Sequence, residues 1–401
     1  MKNLKLSFIL LGLVSIVAIS CSKKEAEVRK APVVPPTDEV PPTSTVTTGL
    51  TISQGTNLAN PKFDLEEYFV YTSGGQSTIN FKSLPATYND KIKSINIPRG
   101  YMAVLAENQN GTGESICYVA AVSDIRANLP QRLVDKVSFV RFVPINNVEK
   151  KGLGLVVAND INAINSAWYY NWSLNPFSAP NKQHVPMTWG KGSATTATAL
   201  DFIARKNIDH YLSFNEPDNR NQSNIPDIDT AISRYRLMLQ TGLRMCSPAV
   251  EQDNALDPTD WLPRFMAAAT AQKLRVDVIA LHWYDWGNER NNLSTPEATA
   301  AAVLNRFKNY IERVRAAYPN QTLWFTEYNC NPNRTADVHQ IFMRESAAYL
   351  NTLPYVERYA YFFPAVHPVS SGAPNHTLTP IGQTWSDITS VPSFSANIVP
   401  R

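Results

Sequence analysis

Two glutamates, far apart in the chain, each close an apolar run rich in aromatic residues. Glu216 ends HYLSFNEPD (210–218) and Glu327 ends TLWFTEYN (322–329). Both runs read as buried strands. Pro217 cannot donate to a sheet ladder, so the first strand must stop beside Glu216. Each carboxyl is thereby held at the mouth of a rigid element, where burial and neighbours tune its proton affinity. Two such groups, one protonated and one ionised, are what hydrolysis of a glycosidic bond needs.

The elements that must position this pair follow Pro144. Strand-like runs (SAWYYNWS, HVPMTWG, HYLSFNEPD, RMCSPAV, VDVIALHWYD, TLWFTEYN, VERYAYFFP) alternate there with amphipathic helical stretches. Alternation of this kind means a parallel sheet. In the longest helical stretch, Ala302, Leu304, Phe307, Tyr310, Ile311 and Val314 recur at helical spacing. A span of about 250 residues suits a (β/α)8 barrel. Seven strands are clear, and the eighth falls within GLGLVVA or near HTLTPIG. The expected fold class is therefore α/β, a (β/α)8 TIM-type barrel preceded by a small all-β domain. Barrels of this type build their sites at the carboxyl ends of the strands. Unusual residues collect there: Asn171 and Trp172 on the first run, Trp189 on the second, Asn215 and Glu216 on the third. His282, Trp283 and Tyr284 end the fifth, and Glu327 and Asn329 the sixth.

The motifs WYYNW, VPMTWG, FNEPD, SPAV, LHWYD, WFTEYN and LTPIG, in this order, resemble the catalytic core of glycoside hydrolase family 128 over residues 150–390. The resemblance implies hydrolysis of β-1,3-glucan, usually within the chain and with retention of configuration. It makes Glu216 the acid/base and Glu327 the nucleophile. A retaining pair stands about 5–5.5 Å apart. Glu216 is expected to bind its proton more tightly than usual, through burial and the charge of Glu327. Tyr284 is placed to hydrogen-bond Glu327, and Asn215 to bond a sugar 2-hydroxyl. His282 either meets substrate, steadies Glu327 or is a satisfied core histidine. Trp172, Trp189, Trp283 and Trp324 are candidates to stack on sugar rings, or else pack the fold; Tyr170 and Asn171 complete the expected substrate-binding set.

With 44% hydrophobic and 18% charged residues among 401, the composition is that of a globular protein. A net charge of +3 gives no basic surface for nucleic acid. Lys2 and Lys5 precede an apolar run, Leu6 to Ile19, too short to span a bilayer and typical of a secretory signal. Ala18-Ile19-Ser20-Cys21 resembles a bacterial lipobox, which implies cleavage before Cys21 and its lipidation; an ordinary signal peptide is the alternative. The expected boundaries are a signal peptide over 1–20, a Pro/Thr-rich tether over 21–49, a β-rich domain over 50–147, the hydrolase domain over 148–392 and a tail over 393–401. Within the β-rich stretch, GYMAVLAENQNGTGESICYVAAV followed by DKVSFVRF resembles the βγ-crystallin-like fold, with the calcium pattern lost around Val134 to Ser138.

Cys117, Cys246 and Cys330 are an odd remainder, which argues against a disulfide framework and for buried thiols. GKGS at 190–193 lacks the earlier glycine of a phosphate loop, because that position is Val185, and GLG at 152–154 lacks the third glycine of a dinucleotide fingerprint. No His/Glu spacing matches a catalytic metal site, so neither metal nor cofactor is expected. The expected partner is β-glucan, with a membrane touched only through the lipid anchor of a monomeric, cell-envelope protein. Two other readings stay open: an inactive surface glycan-binding lipoprotein, and the same chemistry on mannan or xylan.

Overall fold

A computed structural model describes residues 49–74, 80–179 and 181–400. They belong to one compact unit, Thr45–Arg401. The expected signal peptide over 1–20, Cys21 and most of the expected tether lie outside the described residues. From Leu50 the chain makes nine short strands: β1 (Leu50–Ser53), β2 (Lys62–Leu65), β3 (Val70–Thr72), β4 (Phe81–Ser83), β5 (Ser94–Ile97), β6 (Tyr101–Ala106), β7 (Ser115–Ala120), β8 (Ile125–Asn128) and β9 (Phe139–Pro144). They form a four-stranded sheet, β2-β1-β5-β8, and a five-stranded sheet, β4-β3-β9-β6-β7. In β6, Ala103 and Leu105 join the core between these sheets, while Met102, Val104 and Ala106 face the other way into the core of the following half. Both parities are apolar because both faces are covered.

Eight further strands follow, all paired in parallel: β10 (Lys151–Gly154), β11 (Trp168–Tyr170), β12 (Gln183–His184), β13 (His210–Tyr211), β14 (Arg244–Met245), β15 (Val278–Trp283), β16 (Thr322–Tyr328) and β17 (Val356–Tyr361). The glycine-rich run beginning at GLG thus supplies the strand that was hard to see. Seven helices accompany them: α1 (Ala158–Ala163), α2 (Thr196–Ala204), α3 (Ile228–Leu239), α4 (Trp261–Ala271), α5 (Pro296–Ala317), α6 (Ala336–Thr352) and α7 (Pro380–Asp387). In α5 the Thr295 hydroxyl caps the Ala298 N–H, Pro296 fits the first turn, and Val303, Phe307, Ile311 and Val314 make the buried stripe.

The ladders leave two sheets, β12-β11-β10-β17-β16-β15 and β13-β14, and not one closed sheet. Isolated parallel bridges link them at either edge: Met187 to Leu212 at one, and Cys246 to Val278 and Val250 to Leu281 at the other. The fold is mixed α/β. One face of these strands gathers a separate apolar cluster that includes Trp168, Tyr170, Leu212, Cys246, Ala280 and Trp324. Strand β10 adds no side chain from Gly152 or Gly154. A Cβ on Gly152 would lie 2.1 Å from the Trp168 ring, and one on Gly154 2.8 Å from the Tyr170 ring. The two glycines make room for these aromatic rings. Cys117, Cys246 and Cys330 are free and buried.

Candidate active site

Glu216 leaves the end of the β13 run with φ at +40°, in the left-handed region. Trp172 after β11 (φ +53°) and Asp285 after β15 (φ +54°) share it. Non-glycine residues held there cost on the order of 1–3 kcal/mol each and persist where the surroundings fix them. The Glu216 N–H is tied to the Ala249 carbonyl at 2.7 Å. Its carboxylate takes a hydrogen bond at Oε1 from His282 Nδ1, at 2.9 Å, and at Oε2 from Asn219 Nδ2, at 3.1 Å.

Glu327 is buried at the end of β16. Trp172 Nε1 donates to its Oε1 at 3.0 Å, and the Tyr170 hydroxyl lies 3.3 Å from the same oxygen. The Tyr284 hydroxyl donates to Oε2. The single Tyr170 proton is shared with the Thr326 carbonyl, 3.0 Å away, so Trp172 and Tyr284 are the undivided donors to this carboxyl. Burial first, and then the Glu327 charge, push both phenols well above their ordinary range, so they remain donors.

His282, fully buried on β15, stands between the carboxylates, its Nε2 lying 3.5 Å from Glu327 Oε1. One oxygen from each carboxylate and a ring nitrogen of His282 all lie within 4.8 Å of one another. Burial opposes the imidazolium, but the charges of Glu327 and Glu216 and the Glu216 hydrogen bond offset it and raise the His282 pKa. For Glu216 the direction is opposite to the sequence expectation. Burial raises its pKa, yet the His282 hydrogen bond and charge, with the Asn219 bond, outweigh that and leave it lowered. The expectation counted the repulsion of Glu327 and missed the imidazolium between them. These three groups also have the spacing of a metal site.

The glycosyl hydrolase catalytic core family matches residues 154–390. A family 128 (subgroup I) endo-β-1,3-glucanase from Amycolatopsis mediterranei, solved with laminaritriose, is 30% identical, covers 59% of this chain and 98% of its own, and superposes with a TM-score of 0.50. A point mutant of that glucanase, solved with laminarihexaose, is 29% identical, covers 60% and 100%, and has a TM-score of 0.51. The chain belongs to glycoside hydrolase family 128. No curated protein sequence matches it.

In this glycoside hydrolase, Tyr170, Trp172, Glu216, His282, Tyr284 and Glu327 come together. Tyr170 and Trp172 grip Glu327 through their polar atoms. Trp189 stands exposed, and its carbonyl accepts the Asn215 N–H at 3.0 Å, which places it beside Glu216. Asn215 is buried, with its Oδ1 unpartnered.

Two stacking candidates are corrected. Trp324 is fully buried three residues before Glu327, where its Nε1 donates to Glu357 and its ring packs on Trp168 and His210. Trp283 points away from the pair and packs on Phe307 and Phe342. Asn171 is also structural: it is buried, bonds the Asn175 carbonyl and pairs with His184 Nε2. Sequence reading missed Asn219 and Gln252. The Gln252 Oε1 accepts the Tyr284 N–H at 2.9 Å and so fixes the loop that carries it. Asn219 had a signal, since it lies three residues beyond Glu216 in the same turn.

Proposed function

We propose that this glycoside hydrolase cleaves β-1,3-glucan within the chain, with retention of configuration. The observation that carries the reading is the closeness of Glu216 and Glu327, bridged by His282 within 4.8 Å. That closeness supports a retaining pair, whose carboxyls stand about 5–5.5 Å apart, over an inverting one at about 6.5–9.5 Å. Glu327 attacks the anomeric carbon as the glycosidic C–O bond breaks, and Glu216 gives its proton to the departing oxygen. Glu216 then takes a proton from water, whose oxygen attacks the same carbon and frees Glu327. In the free site the His282–Glu216 proton rests on the imidazole. Substrate expels water, deepens the burial that already raises Glu216, and moves that proton along the 2.9 Å bond to the carboxyl.

The choice of β-glucan rests on the family 128 relatives, which are described as endo-β-1,3-glucanases in complex with laminari-oligosaccharides. We also propose that the eight parallel strands form a (β/α)8 barrel closed through the isolated bridges at the two edges, and that Cys21 carries a lipid that holds the enzyme at the cell envelope. Alternate-parity burial on both faces of the strands supports the first, and the lipobox-like sequence the second.

The test is hydrolysis of laminarin, followed by reducing ends and by proton NMR of the first anomer released. The wild type should give β product in mixed chain lengths, and E327Q should lose on the order of 10⁴-fold or more in kcat. Binding without product would favour a glycan-binding protein. A first-formed α anomer would exclude retention, and faster release from mannan or xylan would exclude the substrate.

A further inference from the structure

Glu216 has two oxygens and two different neighbourhoods. Oε1 faces His282. Oε2 faces Asn219, whose single amide nitrogen also donates to Glu251 Oε1 at 3.0 Å. Both amide hydrogens are therefore spent on carboxylates, one from the loop after β13 and one from the loop after β14. The two loops are laced further. The Glu251 N–H donates to Asp218 Oδ2 at 3.1 Å, Asn254 Nδ2 donates to the same oxygen at 2.7 Å, and Asn215 and Ala249 form a parallel bridge. Glu251 itself is exposed. It stands on the far side of Glu216 from the imidazole.

We propose that Glu251 is a positioning residue for Glu216: through Asn219 it fixes the carboxyl, and its negative charge raises the affinity of Glu216 for the proton it donates. This rests on the reading of Glu216 as acid/base. The charged groups that face Glu216 are His282 from β15, Glu327 from β16, Asp218 from its own loop, and Glu251 from the loop after β14. Of these, His282 alone favours the ionised form. The coupling is felt at Glu251. Burial first, and then Asp218, Glu216 and Asp253, raise the pKa of Glu251. Without a counterweight to the imidazolium, the proton shared by His282 and Glu216 would pass less readily to the carboxyl when substrate arrives. Substrate that excludes water from the cleft strengthens the repulsion just when the proton is needed.

Replacing Glu251 by Gln keeps an acceptor for Asn219 and removes the charge. The proton shared by Glu216 and His282 is then held less tightly, so the alkaline limb of kcat/KM on laminarin moves to lower pH. A shift of about half a pH unit is expected, with kcat on the acid side within about twofold. E251D, which keeps the charge, should recover most of the shift. In parallel, the Glu216 carboxyl carbon is titrated by NMR in the full chain, with and without E251Q, which needs no turnover. Coincident limbs and coincident titrations in E251Q and wild type would overturn the proposal. So would an effect confined to KM, which would make Glu251 a substrate contact, or a uniform loss at all pH matched by a lower melting temperature. A wild type that does not hydrolyse laminarin would sink the functional reading, while the NMR titration would still decide the role of Glu251.

Discussion

At the scale of single residues, His282 turns two mutually repelling carboxylates into a stable group, because a buried imidazolium is tolerated only where charge surrounds it. Its pKa is raised above 6.5 in the fold, so its contribution to stability is complete below 6.5 and is lost as pH rises through the folded value. Glu216 has the opposite sign. Its pKa lies below 4.5, and its contribution is complete above 4.5 and lost as pH falls through the folded value. The two windows overlap between 4.5 and 6.5. We expect the melting-temperature gap between wild type and H282Q to be widest there and to narrow on the alkaline side. A gap independent of pH from about 5 to about 9 would show that His282 is neutral in the fold. His282 and Tyr284 were legible because they follow an apolar run at a strand end. The reversal of the Glu216 shift was not, since the distance from Nδ1 to Oε1 is a property of three strands together. Trp324 and Trp283 show a second limit. Each sits on a strand that also bears a site residue, and only the packed structure tells which face a tryptophan takes.

At the scale of elements, the strands of the catalytic half carry chemistry at their carboxyl ends and a buried charge network at their amino ends. His210 opens β13, Arg244 opens β14 and Thr322 opens β16, while Glu357 is the second residue of β17. The Arg244 guanidinium pairs with Glu357, which also accepts from Thr322 and Trp324. Asp209 pairs with His210 at 2.8 Å. Burial would push Glu357 up, but Arg244 and His210 hold it far below the carboxylate range. E357Q leaves Arg244 charged and without its carboxylate, so unfolding by urea should show a loss of about 3–5 kcal/mol. Activity per folded molecule should stay near wild type, because the network is at the other end of the strands. A loss under about 1 kcal/mol would mean that water or a neighbour replaces the pair. The longer strands, β15 and β16, were plain in the sequence. The two-residue ladders of β12, β13 and β14 were legible only through the motifs that follow them. Strand β10 was nearly invisible, because its inward positions are glycines and hydrophobic pattern cannot register a missing side chain.

At the scale of the whole molecule, the five-stranded sheet of the first half is a wall shared by two cores. Met102, Val104, Cys117, Val119, Phe139 and Val143 lie in the same apolar cluster as the helices and strands of the catalytic half. Arg141 on β9 passes through this face to the Thr241 and Phe202 carbonyls. Gly242 sits where a Cβ would meet Arg141 and Phe139 at 2.9 Å. Residues 148–392 expressed alone should therefore be recovered mainly as aggregate, whereas 49–401 should be soluble with one cooperative melting transition. Soluble, fully active 148–392 would refute this. The β-rich texture of 50–145 could be read from its short strands and turns. Its attachment could not, since an apolar residue does not announce which of two cores it belongs to. The seam also bears on how such a hydrolase can change over time. Because β6, β7 and β9 interleave residues for both sides, a drift in one half must be answered within the same three strands, and recombination that trades only the catalytic half would have to preserve that imprint.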